Sequence, residues 1–202
     1  MTSWRDRLNR LAGKNRYVVC RIFVHLTGKE IAPLLGILNR AGRSAIESDG
    51  DLESVGESLV TICENLLQMD LYWQSAHNEG DVFWDEGQAG DYFNSLSTDS
   101  ISRFKSGSEL EGGVEDVQET PLTIPATNNI VVMISAAYIG EVPELETNLA
   151  SRDALITALK VLINLHYQGN LEAIGVYFSP SKFGDELTSE QILPNFPELI
   201  PL

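Results

Sequence analysis

The sequence predicts an α+β chain with an N-terminal helical part (residues 1–105), a flexible acidic linker (106–121) and a small C-terminal α/β part (122–202). Three observations predict it. Ile130-Val131-Val132-Met133-Ile134, extended by Ser135 to Ile139, is an unbroken apolar run rich in β-branched residues, which suits a strand buried on both faces. Ser151 stands where it can cap a helix with Leu155, Ala158, Leu159, Leu162 and Leu165 on one stripe, and Leu171–Phe178 follows as a second strand. Strand, helix and strand together make a β-α-β unit, with a parallel pair and a right-handed crossover expected. Finally, Ser106–Glu119 is Gly, Ser and acid, with too little apolar surface to offset the entropy of ordering.

Taken in order, the chain opens with Trp4, Leu8 and Leu11 at i, i+4 and i+7, among Arg5, Arg7, Arg10 and Lys14. This pattern predicts a short basic amphipathic helix, ended by Gly13 and Asn15. The spacing of Val18, Val19, Ile22, Phe23 and Leu26 favours a second helix, although the β-branched content also allows a strand. Gly28 breaks it. Lys29–Glu47 predicts a helix with Pro33 in its first turn, where the missing N–H costs little. Asp51 can cap the next helix, whose stripe of Leu52, Val55, Leu59, Ile62, Leu66 and Leu67 carries it to about Trp73. Asn78–Gly90, acidic and glycine-containing, predicts a loop, and Asp91–Phe104 a helix that buries Tyr92, Phe93, Leu96, Ile101 and Phe104.

Near the C-terminus, Thr188-Ser189-Glu190-Gln191 is a capping box with Leu187 and Ile192 placed for a hydrophobic staple. Pro194 ends this short turn, and the apolar tail Phe196–Leu202 is expected to pack down. Two strands make a poor sheet. A third must come from Leu122-Thr123-Ile124, from Tyr17–Leu26 or from a partner chain.

Charge is unevenly spread. The formal net charge is −15, yet residues 1–43 hold nine Lys/Arg and two acids (+7), and residues 44–202 hold five Lys/Arg and twenty-seven acids (−22). Nucleic-acid binding by the main body is excluded as a function class, because phosphate would meet repulsion. Cys20 and Cys63 are far apart and make no disulfide framework. The longest apolar run near the N-terminus, Tyr17–Leu26, contains Arg21 and His25 and is about half the roughly twenty residues a bilayer span needs. With Arg5, Asp6, Arg7 and Arg10 interrupting the start, no signal peptide is read.

The search for chemistry returns little. Glu79, Asp81, Asp85 and Glu86 could gather a hard cation, but they lack the alternating acids and closing Glu of a calcium loop. His25, His77 and His166 are scattered, without metal-ligand spacing. Tyr177-Phe178-Ser179-Pro180 is not a glycine-flanked nucleophile elbow, and Gly112-Gly113 has no Lys-Ser/Thr behind it to make a phosphate loop. No catalytic, cofactor or metal residue is assigned, and no cofactor is expected.

Several segments carry a resemblance. These are Val176-Tyr177-Phe178-Ser179-Pro180, Gly184-Asp185-Glu186-Leu187-Thr188 and Phe196-Pro197-Glu198-Leu199, with Gly140–Leu145 after the first strand. Leu52 to Tyr72-Trp73 and Tyr92–Leu96 with Arg103-Phe104 match more weakly. Over about residues 31–202 the chain resembles an uncharacterised domain family of cyanobacteria and chloroplasts, one of whose plant members acts in acclimation to fluctuating light. The family has no known catalytic residues, so none is carried over. What the resemblance implies is a non-enzymatic regulatory or assembly protein of a photosynthetic cell, cytoplasmic or peripheral at a thylakoid or other membrane surface. Its expected partner is a protein or an anionic membrane surface, not nucleic acid, and a homo-oligomer is left open. The candidate contact surface is Trp4, Arg5, Arg7, Leu8, Arg10, Leu11 and Lys14. The alternative is a divalent-cation-dependent enzyme built on the acidic 79–91 loop.

Overall fold

A computed structural model describes residues 13–105, 128–181 and 185–202. Five antiparallel strands form one sheet: β1 (Tyr17–Thr27), β2 (Trp73–Phe83), β3 (Asn129–Ile139), β4 (Leu171–Ser179) and β5 (Ile200–Pro201), in the order β4-β3-β1-β2-β5. The described helices are α1 (Ala32–Glu47), α2 (Leu52–Gln68), α3 (Glu86–Lys105), α4 (Arg152–Tyr167) and α5 (Ser189–Asn195). Helices α1, α2 and α4 cover one face of the sheet. On the other face lie α3, α5 and the C-terminal tail.

This overturns the expected fold class. Among the described residues no N-terminal helical part is set apart from a small α/β part: β1 pairs with β3, and β2 with β5, in a single sheet. The expected linker, 106–121, lies outside the described residues, as does Leu122-Thr123-Ile124. The missing sheet strands come from Tyr17–Thr27 and Trp73–Phe83.

The first misreading has a clear cause. The spacing of Tyr17–Leu26 favours a helix, but the alternative its β-branched residues leave open is the one realised: it is the central strand β1. Val18, Cys20, Ile22, Val24 and Leu26 face α1, α2 and α4, while Val19 and Phe23 face α3 and α5. With both faces buried, no apolar/polar alternation remains to be read. Arg21 and His25, four residues apart, look like the polar side of a helix, but both are buried polar groups of the second face.

The second misreading is β2. Trp-Gln-Ser-Ala-His-Asn-Glu-Gly-Asp-Val-Phe has weak strand propensity, and its acids suggest a loop. Pairing along β1 from Tyr17↔Phe83 to His25↔Ser75 overrides that preference. Helix α2 therefore stops at Gln68, before Trp73, and α3 starts at Glu86, five residues ahead of the expected Asp91. Ile101, expected inside, is exposed.

The third is the sense of the β3–β4 pair, which is antiparallel, from Val131↔Ser179 to Tyr138↔Leu171. A parallel crossover presumes that the helix begins near the end of the first strand. Here Gly140–Ser151 first travels back along the sheet, where Asn78 Nδ2 donates to the Thr147 carbonyl and Asn78 Oδ1 accepts from the Leu149 N–H. Helix α4 then returns the chain, so β4 starts beside the end of β3.

Local signals hold where they concern caps. Ser151 Oγ accepts from the Ala154 N–H, and Asp51 from the Ser54 N–H at 3.0 Å. The capping box of Thr188 and Gln191 is formed, and Leu187 and Ile192 join the same apolar cluster. Helices α2 and α4 approach closely at Gly56, where an added Cβ would meet the His166 ring at 2.1 Å.

Candidate functional site

Three polar arrangements are built on the α3 side and outer edge of the sheet. The innermost centres on Arg21. Its Nη2 and Nε contact Glu79 Oε1 at 2.5 and 2.9 Å, and Nη1 reaches Asp99 Oδ2 at 2.7 Å, the Leu96 carbonyl and Ser100 Oγ. Its guanidinium lies over the Phe23 ring, 4.7 Å from the centroid. Arg103 continues the network to Asp99, Glu198 and the Asn195 carbonyl. Burial raises the Asp99 carboxyl, but hydrogen bonds from Arg103 and Arg21 outweigh it and hold the group below its ordinary range. Every charge here has a partner, so the cluster ties α3 and the tail to β1. Its carboxylates, Glu79 and Asp99, stay partly exposed, with side chains 35% and 42% accessible.

The second arrangement is one the sequence did not reveal. His25 Nδ1 sits 3.0 Å from Ser75 Oγ, and Nε2 sits 3.2 Å from both Asn129 Oδ1 and Thr27 Oγ1. Hydroxyl, imidazole and amide converge from three neighbouring strands, in the order a nucleophile, a base and an orienting group would take. The setting is that of a structural hub. His25 and Ser75 are each 8% exposed, and Asn129 Nδ2 donates to the Leu187 carbonyl, anchoring the C-terminal turn. His25, Ser75 and Asn129 line none of the three grooves of about 450, 420 and 260 Å³ on the described residues. Burial lowers the His25 pKa and favours neutral imidazole.

The third arrangement is the outer edge of β2. Strand β5 pairs with β2 only at Ser75 and Ala76. Along β1, the amides of Gly28 and Gly140 bond across the β1–β3 side, to Asn128 and Arg16 carbonyls. Even-numbered β1 residues therefore point their backbone groups toward β3, and odd-numbered ones toward β2. By the register of β1 and β2, His77, Glu79 and Asp81 direct their amides at β1, while Asn78, Gly80 and Val82 direct theirs outward. The Val82 N–H is taken by Asp81 Oδ1 at 2.7 Å. Among the described residues no strand pairs with 77–83 on that side.

A groove of about 450 Å³ runs beside this edge, between β2 and the segment Leu145–Asn148, with Ile200 at one end. Gly80 forms part of its wall. An added Cβ at Gly80 would come within 2.6 Å of the Val19 carbonyl oxygen, so the backbone there stays bare. Cys20 lies beneath, buried, its thiol pushed up to about 12 by burial and therefore unreactive as a nucleophile. Asp81 and Gly80 are exposed, while Glu146 across the groove is ion-paired with Arg16 at 2.6 Å.

The acids of the expected 79–91 loop are thus divided. Glu79 is held by Arg21, Asp81 faces solvent on β2, and Asp85 Oδ1 accepts from the Gln88 N–H at the start of α3. Among the described residues, no three His, Cys, Asp or Glu gather to hold a metal ion. Of the candidate contact surface, Trp4, Arg5, Arg7, Leu8, Arg10 and Leu11 lie outside the described residues; Lys14 is exposed and outside any helix. Among the described helices none is long and apolar enough to cross a membrane.

A family model described as "Protein of unknown function (DUF1517)" matches residues 16–202. No curated protein and no solved structure matches.

Proposed function

The chain belongs to this family of proteins of unknown function, and we propose that it is a non-enzymatic regulatory or assembly protein of a photosynthetic cell, acting in light acclimation through contact with a protein partner. One observation carries the reading: the edge of β2 at 77–83 is left unpaired among the described residues, beside a groove that Asp81 borders. Native sheets usually cover, shorten or bulge such an edge, because its free backbone groups template pairing with another chain. The cluster of His25, Ser75 and Asn129 is buried, while Gly80 and Asp81 on this edge are exposed. The segregation of basic residues into 1–43 supports a second contact, of Trp4, Arg5, Arg7, Leu8, Arg10 and Leu11 with an anionic membrane surface.

The test is site-specific photo-crosslinking in a photosynthetic host. A crosslinker at Asp81 should capture a protein that one at Glu172, on the far sheet edge, does not. Capture at neither position, with unchanged growth of a deletion strain under fluctuating light, would overturn the reading.

A further inference from the structure

We infer that the β2 edge takes an extended cationic segment of the partner as an additional antiparallel strand, with a basic–apolar–basic pattern at its centre. The inference rests on the protein-contact reading above and adds the chemistry of the partner.

Backbone geometry sets the pairing. Asn78 and Gly80 each offer an outward N–H and C=O, and the carbonyl of Val82 adds a further acceptor. A strand laid opposite would exchange both hydrogen bonds with Gly80, the bare position. This is the arrangement by which extended peptides add to exposed sheet edges, with pockets reading alternate side chains.

Side chains set the sequence. Glu79 and Asp81 lie on the α3 face of β2, two residues apart, so the residues opposite them fall on that face too. Glu79 keeps one oxygen on Arg21, and Asp81 has no ion pair among the described residues. Both therefore favour a Lys or Arg across the pair. The residue between the two points to the opposite face. There it meets no side chain from Gly80 and enters the groove of about 450 Å³ against Leu145 and Val82, where a large apolar side chain fits. Across the groove Glu146 is already paired with Arg16 at 2.6 Å, so Asp81 and the free oxygen of Glu79 carry the attraction for a cation.

A second copy at this edge, and a basic strand at the far edge, are disfavoured by the same geometry. A second copy pairing edge to edge in an antiparallel dimer about Gly80 would set Glu79 against Asp81 twice, and like charges directly opposite destabilise a sheet. The other edge left unpaired among the described residues, β4, offers a basic strand only Glu172.

The probe is a fluorescein-labelled decapeptide with central Lys-Leu-Lys and Ser/Thr flanks, titrated with the full chain by anisotropy. Saturable binding is expected, with slowed hydrogen exchange at the Asn78 and Gly80 amides. Asp81→Lys should weaken binding about three- to tenfold, by turning an attractive cross-strand pair into a repulsive one. Glu172→Lys, the same charge change on the far edge, should have little effect. Methylating the Leu amide nitrogen of the peptide should weaken binding about tenfold or more, because a backbone bond to Gly80 is lost. The inference is overturned by no saturable binding at millimolar peptide, by equal binding of the methylated peptide, by equal effects of the two Lys variants, or by protection elsewhere than at 78 and 80. Crosslinks from position 81 to a partner lacking a basic–apolar–basic segment would sink this inference and leave the protein-contact reading standing.

Discussion

Arg21→Ala removes the group on which the α3 side of the sheet is centred, and its cost can be worked from the contacts. The side chain is 3% exposed and makes charge-assisted bonds to Glu79 and Asp99, plus bonds to the Leu96 carbonyl and Ser100 Oγ. Breaking a buried ion pair usually costs about 3–5 kcal/mol because the remaining charge is stranded. Here the carboxylates are not stranded: Glu79 and Asp99 side chains are 35% and 42% exposed and regain water. Asp99 also keeps Arg103, and the Leu96 carbonyl keeps Ser100 Oγ at 2.8 Å. The loss is then mainly packing over Phe23 and the cavity left behind, about 2–4 kcal/mol. Arg21→Met, which keeps the volume, should cost about half of that. Urea unfolding at constant slope reads both values. Acid gives a second check. A carboxyl held below its unfolded value contributes stability above about pH 4, lost as pH falls through the folded value, so the gap between wild type and Arg21→Ala should narrow there. An Arg21→Ala change under 0.5 kcal/mol, or Arg21→Met costing more than Arg21→Ala, would refute this account of the network.

Leu159→Ala, fully buried on α4, should destabilise by about 2–5 kcal/mol, whereas its exposed neighbour Lys160→Ala should change stability by less than about 0.5 kcal/mol; urea midpoints compare them. His25 has a folded pKa below its unfolded value, so the unfolded chain takes up the proton first. Stability should fall as pH drops below about 6.5, and His25→Gln should flatten that fall in melting curves at pH 7.5 and 5.5. For the N-terminal segment, flotation on anionic liposomes at low salt should be lost with Arg5→Gln, Arg7→Gln and Arg10→Gln combined. Each basic residue near the surface adds about 1 kcal/mol, and a triple variant that floats like wild type would remove the membrane contact.

What the sequence made legible was local. Caps at Asp51, Ser151 and Thr188, the stripes of α1 and α4, and the β3 and β4 runs are decided within a few residues and stand where expected, whereas α2 ends at Gln68, short of Trp73, and leaves Leu52 exposed. What stayed hidden was decided by pairing. Strand β1 is buried on both faces and loses its alternation, and β2 is a strand only because β1 lies along it. That error hid the site as well. Read as a loop, Asn78–Gly90 offers a cation cluster; as an edge strand, it separates the same acids and exposes backbone. The hub of His25, Ser75 and Asn129 joins residues 50 and 104 positions apart, beyond the reach of any spacing rule.

The open edge of β2 is tested most directly by amide hydrogen exchange along residues 77–81 of the free protein. Slow exchange should alternate with fast: His77, Glu79 and Asp81, paired to β1, protected, and Asn78 and Gly80, directed outward, exchanging at least about a hundredfold faster. Uniform protection across the five residues would mean that the edge is already covered, and the proposed contact surface would not exist.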